Sequence, residues 1–202
     1  MEIVIASKNQ GKIAEIKKIL EDLEIKILSL SDFFTLPDII EDGNTFEENA
    51  VKKARCIFEL TGKITLSDDS GLEVDYLGGA PGLKSARFGG EKLSDAERNQ
   101  LLLELLKGVP ISQRRARFKC VVAISISKEK IMTVSGECEG GISLVSKGNY
   151  GFGYDPIFIP DGFNKTFGEL GSEIKNKISH RFIAFLKAKE ILLEIIQKVK
   201  QK

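Results

Sequence analysis

The sequence has 202 residues, of which 42% are hydrophobic and 29% are charged, and its 30 Lys and Arg against 29 Asp and Glu leave a net charge of +1. This composition excludes a disordered chain, and no apolar run approaches the roughly 20 residues of a transmembrane helix. The balanced charge offers no general attraction to nucleic acid or to a membrane, so a polyanion would need a local binding arrangement. The opening residues lack the pattern of a signal peptide. We therefore expect one cytoplasmic domain spanning residues 1–202, with neither nucleic acid nor membrane as a partner.

Cysteine and histidine usage excludes several kinds of site. Cys56, Cys120 and Cys138 lie far apart and form no CxxC pair, so we predict reduced thiols in or near the core rather than disulfides or a zinc site. His180 is the single histidine, which excludes a histidine metal cluster within one chain. No GxSxG motif supports a Ser-His-Asp triad.

The first part of the chain predicts strands alternating with helices. Residues 2–6 are β-branched and apolar, which predicts a buried strand, and a second short strand is predicted at 25–28. Between them the turn at 9–11 leads into a helix whose isoleucines recur at helical spacing. Thr45 begins a capping-box pattern, so a further helix is predicted to start there and to end at Gly62.

The remaining elements predict a mixed sheet. Residues 64–66 read as a buried strand that ends at an acidic segment, and a second capping box at Ser94 opens another helix. Residues 116–126 and 131–138 predict a hairpin of long antiparallel strands, and residues 179–199 predict a long amphipathic helix. This order of elements predicts an α/β fold.

The first candidate site is the turn between the first strand and the first helix. Backbone N–H groups at a helix N-terminus suit a phosphate, and neighbouring lysine and hydroxyl groups add donors. A surface turn that begins a Lys-rich helix would look similar. The candidate phosphate-binding residues are Ser7, Lys8, Asn9, Gln10, Gly11 and Lys12.

The second candidate site is the segment Asp68-Asp69-Ser70-Gly71, which we expect in a loop at the end of a strand. Adjacent carboxylates repel each other unless a cation compensates them, and Mg²⁺ is commonly held by one or two carboxylates together with substrate phosphates. Glu41 could complete such a site. The alternative interpretation is an ordinary turn capped by aspartate.

The third candidate site combines a glycine-rich aromatic segment with the start of the last helix. Aromatic rings can stack on a nucleobase, an acid can accept from base N–H groups, and an arginine can present a planar fork. The alternative is a helix start with Ser179 as N-cap and His180 on the surface. The candidate residues are Phe152, Gly153, Tyr154, Asp155, Lys175, His180 and Arg181.

Together these segments resemble the inosine triphosphate pyrophosphatase family, whose members remove non-standard purine nucleoside triphosphates. The resemblance covers almost the whole chain in family order, and the first segment carries Ser7 where threonine is common. The matching segments are Ser7-x-Asn9-x-x-Lys12-x-x-Glu15, Gly43-x-Thr45-Phe46-x-Glu48-Asn49-Ala50 with Lys53-Ala54, Asp68-Asp69-Ser70-Gly71-Leu72, Leu77-Gly78-Gly79-x-Pro81-Gly82, Ser85-Ala86-Arg87, Gly151-Phe152-Gly153-Tyr154-Asp155-Pro156 and Ile178-Ser179-His180-Arg181.

The resemblance implies a two-lobed α/β protein, with a long central mixed sheet flanked by helices and an active-site cleft between the lobes. It implies a homodimer that uses Mg²⁺ to hydrolyse ITP, dITP or XTP to the monophosphate and pyrophosphate. Ser7, Asn9 and Lys12 would bind the triphosphate, Glu41 and Asp69 would hold the metal, with Asp68 as a further possible ligand, and Asp69 would be the catalytic acid or base. The implied substrate-binding residues are Ser70, Phe152 to Asp155, Lys175, His180 and Arg181, the later ones nearest the base.

Two other functions stay open from the sequence. One is a pyrophosphatase for modified pyrimidine or other damaged nucleotides. The other is a non-catalytic module that binds nucleotides or RNA, against which stand the balanced charge and the acids Glu41, Asp68 and Asp69.

Overall fold

The computed structural model of this chain describes residues 1–33, 37 and 39–200. The predicted strands and helices occur in the predicted order, and one short strand and two short helices between residues 158 and 178 were not predicted. The strands are β1 Glu2–Ile5, β2 Lys26–Ser29, β3 Ile64–Val74, β4 Arg115–Ser125, β5 Ile131–Ile142 and β6 Phe158–Pro160. These six strands of the described residues form a sheet in the order β2-β1-β3-β4-β5-β6. The helices are α1 Gln10–Ile19, α2 Phe46–Thr61, α3 Asp95–Leu105, α4 Phe167–Leu170, α5 Ser172–Ile178 and α6 His180–Lys200.

The sheet is mixed, as the sequence predicts for an α/β fold. Strand β1 runs parallel to both β2 and β3, whereas β5 and β6 are antiparallel. In the parallel part Ile3 pairs with Ile27 on one side and with Ile64 on the other. The α/β fold class is therefore confirmed, while the cleft between two lobes stays a prediction.

Helix boundaries follow the capping patterns of the sequence. Helix α2 begins after Thr45, whose side chain accepts from the Glu48 backbone N–H, and it ends at Gly62 in the left-handed region. Helix α3 begins after Ser94, which forms a complete capping box with Glu97. Both starts were predicted because these patterns involve residues only three positions apart.

The chain divides into two compact units. Residues 1–69, 120–136 and 181–202 make up the first unit, and residues 70–119 and 137–180 make up the second. The core of the first unit is mainly aliphatic and includes Ile3, Ile16 and Leu192. The second unit has an aromatic core, in which the rings of Phe118 and Phe158 lie 4.7 Å apart. Each unit thus has its own hydrophobic interior.

Strand β3 is the main departure from the prediction. The sequence predicts a strand at residues 64–66 followed by a loop, but β3 continues to Val74, so Asp68, Asp69 and Ser70 lie inside a strand. The loop prediction was wrong because adjacent acids and glycine are poor strand formers, and local preference alone favours ending the strand there. Partners from distant parts of the chain compensate the charge.

The cysteines confirm the expectation of thiols in or near the core. All three are free, with Cys120 and Cys138 buried and Cys56 half-buried. Burial raises the pKa of the Cys120 and Cys138 thiols to about 12, so both stay protonated and unreactive at neutral pH. Among the helices that the structure describes, none is long and apolar enough to cross a membrane.

Candidate active site

The turn before α1 has the form of a helix N-terminus that can face an anion. Asn9 is the N-cap, and its side-chain oxygen accepts from the Lys12 backbone N–H at 3.0 Å. The Ser7 hydroxyl accepts from the Asn9 backbone N–H at 3.2 Å. Lys8, Asn9 and Gln10 are exposed, and Gly11 and Lys12 are half-buried. Local hydrogen bonds therefore fix this turn at the surface of the first unit.

Asp68 is a buried anion surrounded by cations. Its Oδ2 lies 2.9 Å from the Lys12 ammonium and 3.4 Å from Nε of Arg181. Burial alone would raise the pKa of Asp68, but Lys12, Arg181 and Lys53 outweigh it and hold the pKa well below its usual range. Asp68 is therefore ionised, and its contact with Lys12 fixes the position of that ammonium.

Arg181 lies in this ion network rather than at the surface. The side chain is 2% exposed, and its NH1 donates to Glu15 Oε2 at 2.7 Å while the Nε side faces Asp68. Burial alone would lower the pKa of the guanidinium, but Asp68 and Glu15 raise it, so it stays charged. The structure brings Arg181 together with Asp68 in the first unit, and its predicted role as a planar fork for substrate stays a prediction.

Asp69 follows Asp68 on β3 but has a different environment. Its Oδ2 accepts a hydrogen bond from the Asn49 amide at 2.9 Å, and the residue is buried. Burial raises the pKa of Asp69 above its usual value, Glu41 raises it further, and Lys53 with the Asn49 hydrogen bond counteracts this only in part. Two adjacent carboxylates with opposite pKa shifts are typical of a site that needs one fixed anion and one proton acceptor.

Asn49 binds the Asp69 carboxylate and Lys53 binds the Asp68 backbone, although neither residue has a predicted role. The Lys53 ammonium donates to the Asp68 carbonyl oxygen at 2.6 Å and lies 2.7 Å from Glu41 Oε1. Burial alone would lower the pKa of Lys53, but Asp68, Glu41 and Asp69 raise it, so this buried ammonium is charged. The sequence pattern could have indicated a buried Lys53, because this lysine lies on the same face of α2 as Ala50, Ala54 and Ile57. Those three residues are fully buried.

The oxygen atoms around Lys53 suit a hard divalent cation. Within the described part of the chain, no three acidic, cysteine or histidine side chains form a ready-made metal cluster. Lys53 nevertheless links the acids, because its ammonium lies 2.7 Å from Glu41 Oε1 and donates to the backbone carbonyl oxygen of Asp68, the residue before Asp69. Mg²⁺ is typically held by one or two carboxylates and completes its shell with phosphate oxygens and water, so the pair of Glu41 and Asp69 fits it.

In the second unit the predicted aromatic segment joins an ion pair. Lys175 donates to Asp155 Oδ2 at 2.5 Å, and both side chains are almost completely buried. The same carboxylate oxygen accepts from the Phe152 backbone N–H at 2.8 Å. The Lys175 ammonium also lies over the Phe152 ring, 4.4 Å from its centre. These three residues therefore form one connected group.

His180 and Tyr154 are buried, which was not predicted for either. The His180 ring stacks on Phe118 with centres 4.6 Å apart, so the alternative that places it on the surface was wrong. The Tyr154 hydroxyl donates to the Ser85 carbonyl oxygen at 2.9 Å, and burial raises its pKa far above the usual value. Tyr154 thus anchors the aromatic segment to the core.

Ser70 is half-buried at the middle of β3.

Gly151 should not tolerate a side chain. It has a φ of +79°, and a Cβ there would collide with the Asp155 carboxylate that binds Lys175. We expect Gly151→Ala to lower the free energy of unfolding by about 3 kcal/mol, about 1–2 from the left-handed backbone and the rest from displacement of a buried ion pair.

Gly162→Ala is the matched control for this variant. Gly162 has a φ of +84° and nothing within 4 Å of an added Cβ, so only the backbone term applies. Urea unfolding of both variants measures the difference. Equal losses of stability would show that the Asp155 carboxylate does not restrict this position.

Comparisons with known proteins match this chain over nearly its full length. A family model described as "Ham1 family" matches residues 3–191. A protein of Desulforamulus reducens named dITP/XTP pyrophosphatase is 49% identical over 192 residues, which are 95% of this chain and 96% of that protein. A Bacillus subtilis protein of the same name is 46% identical over 191 residues, 95% of this chain and 96% of that one. The solved structure of a HAM1 protein from Coxiella burnetii has a TM-score of 0.87 and 43% identity, covering 96% of this chain and 99% of that chain.

Proposed function

The chain belongs to the Ham1 family, and from this membership we propose that it hydrolyses the non-standard purine nucleoside triphosphates ITP, dITP and XTP to the monophosphate and pyrophosphate, with Mg²⁺. It is an enzyme of the nucleoside triphosphate pyrophosphatase class. In this proposal it removes such nucleotides from the cytoplasmic pool and acts as a homodimer.

The observation that carries the proposal is the pair of adjacent aspartates on β3. Asp68 is held ionised by three cations, whereas burial raises the pKa of Asp69. A carboxylate with a raised pKa is a stronger base once it is ionised, and it accepts a proton more readily from a reacting water. We assign Asp69 as that base and Asp68 as the group that positions Lys12.

The reaction places a water oxygen on the α-phosphorus. A new P–O bond forms there, the bond from the α-phosphorus to the bridging oxygen breaks, and that oxygen leaves with pyrophosphate. The proton of the attacking water passes to Asp69. Burial of the Asp69 carboxylate keeps it poorly hydrated, so it needs little reorganisation to accept the proton.

Positive charge in the first unit stabilises the negative charge that develops on the leaving pyrophosphate. An ammonium can donate up to three hydrogen bonds, so Lys12 can bind a phosphate oxygen while it remains in contact with Asp68. Lys53 is a second charged ammonium beside the same acids. When bound by Glu41 and Asp69, Mg²⁺ supplies further positive charge to the phosphate oxygens. The turn from Ser7 to Lys12 adds backbone N–H groups.

Recognition of the base is assigned to the second unit. We propose that the Phe152 ring stacks on the purine, while Asp155, Lys175 and His180 provide the polar groups around it. A 6-keto purine presents an acceptor at position 6, which suits a donor, whereas adenine presents an amino group there. Rejection of GTP then depends on its 2-amino group. Arg181 acts in this scheme through Asp68, and Ser70 extends the strand of the two aspartates.

Pyrophosphate release from a panel of triphosphates tests the function. We expect the purified protein with Mg²⁺ to act on dITP, ITP and XTP at least about 100-fold more efficiently than on GTP or ATP, because the 6-amino group of ATP and the 2-amino group of GTP would each be mismatched in a buried site. Excess EDTA should abolish the activity.

Other patterns of activity would contradict the proposal in different ways. Preference for dUTP, dTTP or modified pyrimidines would identify a pyrophosphatase of another substrate class. Nucleotide binding without pyrophosphate release would identify a non-catalytic module. Release of orthophosphate would place the cleavage at a different bond.

A further inference from the structure

Two residues of α3 hold Gly153 from both sides of its backbone. The Gly153 N–H donates to Asp95 Oδ2 at 2.7 Å, and the Gly153 carbonyl oxygen accepts from the Asn99 amide at 3.0 Å. Asp95 and Asn99 are four residues apart, so they lie on one face of the helix. We call this pair of contacts the Gly153 clamp.

The clamp restricts the backbone of Gly153, which would otherwise be flexible. Gly153 has a φ of +60°, in the left-handed region, and as glycine it has no side chain that could restrict its own backbone. Its N–H and its carbonyl belong to two successive peptide groups, so bonds to both restrict the rotations between them. Those peptide groups connect Gly153 to Phe152 on one side and to Tyr154 on the other.

The contact with Gly153 fixes the orientation of the Asn99 side-chain amide, at a cost in free energy. The residue is 3% exposed, and its Oδ1 has no hydrogen-bond partner among the residues that the structure describes. The reversed amide would place two carbonyl oxygens against each other at Gly153, so the donor must face the loop. Unpaired buried acceptors are costly and rare, and such costs recur at functional sites.

We propose that Asp95 and Asn99 are positioning residues for base recognition, which act through Gly153 to hold Phe152 and Asp155 in the arrangement that binds the purine. The Phe152 backbone N–H donates to Asp155, so displacement of Gly153 would disturb both residues. This role rests on the proposed function. The clamp itself can be measured in the free protein.

Hydrogen exchange of the Gly153 amide, followed by NMR, tests the clamp without substrate. We expect Asp95→Ala to accelerate this exchange at least about tenfold, because the acceptor is lost. Asp95→Asn keeps an acceptor oxygen and should stay within about threefold of wild type. Gln100→Ala is the matched control, since Gln100 is exposed on the same helix.

Two exchange results would overturn the clamp. One is an unchanged Gly153 exchange rate in Asp95→Ala. The other is equal acceleration in Asp95→Asn and Asp95→Ala, because both remove the charge near the helix N-terminus and only Asp95→Ala removes the acceptor.

Kinetics of dITP hydrolysis test the positioning role. We expect Asp95→Ala and Asn99→Leu to raise KM about three- to tenfold with kcat within about twofold, and to reduce the preference for dITP over GTP. Asp95→Asn should restore the wild-type KM. Lower thermal stability with unchanged KM and unchanged preference would mean that the contacts are only structural. An inactive wild-type protein would contradict the proposed function instead, while the exchange rates would still decide whether the clamp exists.

Discussion

Asp69→Asn is expected to lower kcat for pyrophosphate release from dITP by about 10²–10⁴-fold, the usual contribution of a general base. The free energy of unfolding should stay at the wild-type value or rise. Burial raises the pKa of the Asp69 carboxyl, which means that the folded protein disfavours its charged form. The amide side chain has the same shape, keeps an acceptor for Asn49 and carries no charge that must be desolvated.

Steady-state kinetics and urea unfolding of this variant give the two readouts. Asp42→Asn serves as the control, because Asp42 is an exposed neighbour of Glu41 that pairs with Lys52 at the surface. Its kcat and its stability should both be close to those of wild type. If Asp69→Asn kept near-normal turnover, Asp69 would not be the base.

Asp68→Asn is expected to have the opposite effect on stability, lowering the free energy of unfolding by about 3–5 kcal/mol. The side chain is 1% exposed and interacts with Lys12 and with Arg181, whose guanidinium is itself 2% exposed. Loss of the carboxylate charge leaves the buried Arg181 and the half-buried Lys12 partly uncompensated. Asp161→Asn is a suitable control, because its pair with Arg115 is exposed and should contribute at most about 1 kcal/mol.

The pH dependence of unfolding separates the two aspartates. The pKa of Asp68 lies below its usual value of 3.8 in the folded protein, so its stabilising effect is complete above that value and is lost as the pH falls toward the folded pKa. Wild type should therefore lose more stability than Asp68→Asn between about pH 5 and about pH 2. Equal losses in the two proteins would contradict a buried, ionised Asp68.

Local patterns predicted much of the fold. The caps at Thr45 and Ser94 and the helix end at Gly62 depend on residues a few positions apart, and all three occur as predicted. The full length of β3 could not be predicted in this way. A strand through Asp68 requires a cation such as Arg181, which lies 113 positions away in the sequence.

The sequence predicted the acidic residues of the candidate site more completely than its cationic residues. Asp68 and Asp69 were nominated as a pair, but the sequence did not distinguish their environments, because the difference comes from burial and from Lys12, Asn49 and Lys53 around them. Lys53 was detectable in principle as a lysine on the apolar face of α2.

Transfer of the water oxygen tests the central claim most directly. In the dITP assay run in water enriched in ¹⁸O, we expect the label in the monophosphate and unlabelled pyrophosphate, because water attacks the α-phosphorus. Label in the pyrophosphate would place the attack on the β-phosphorus and would contradict the proposed reaction at Asp69.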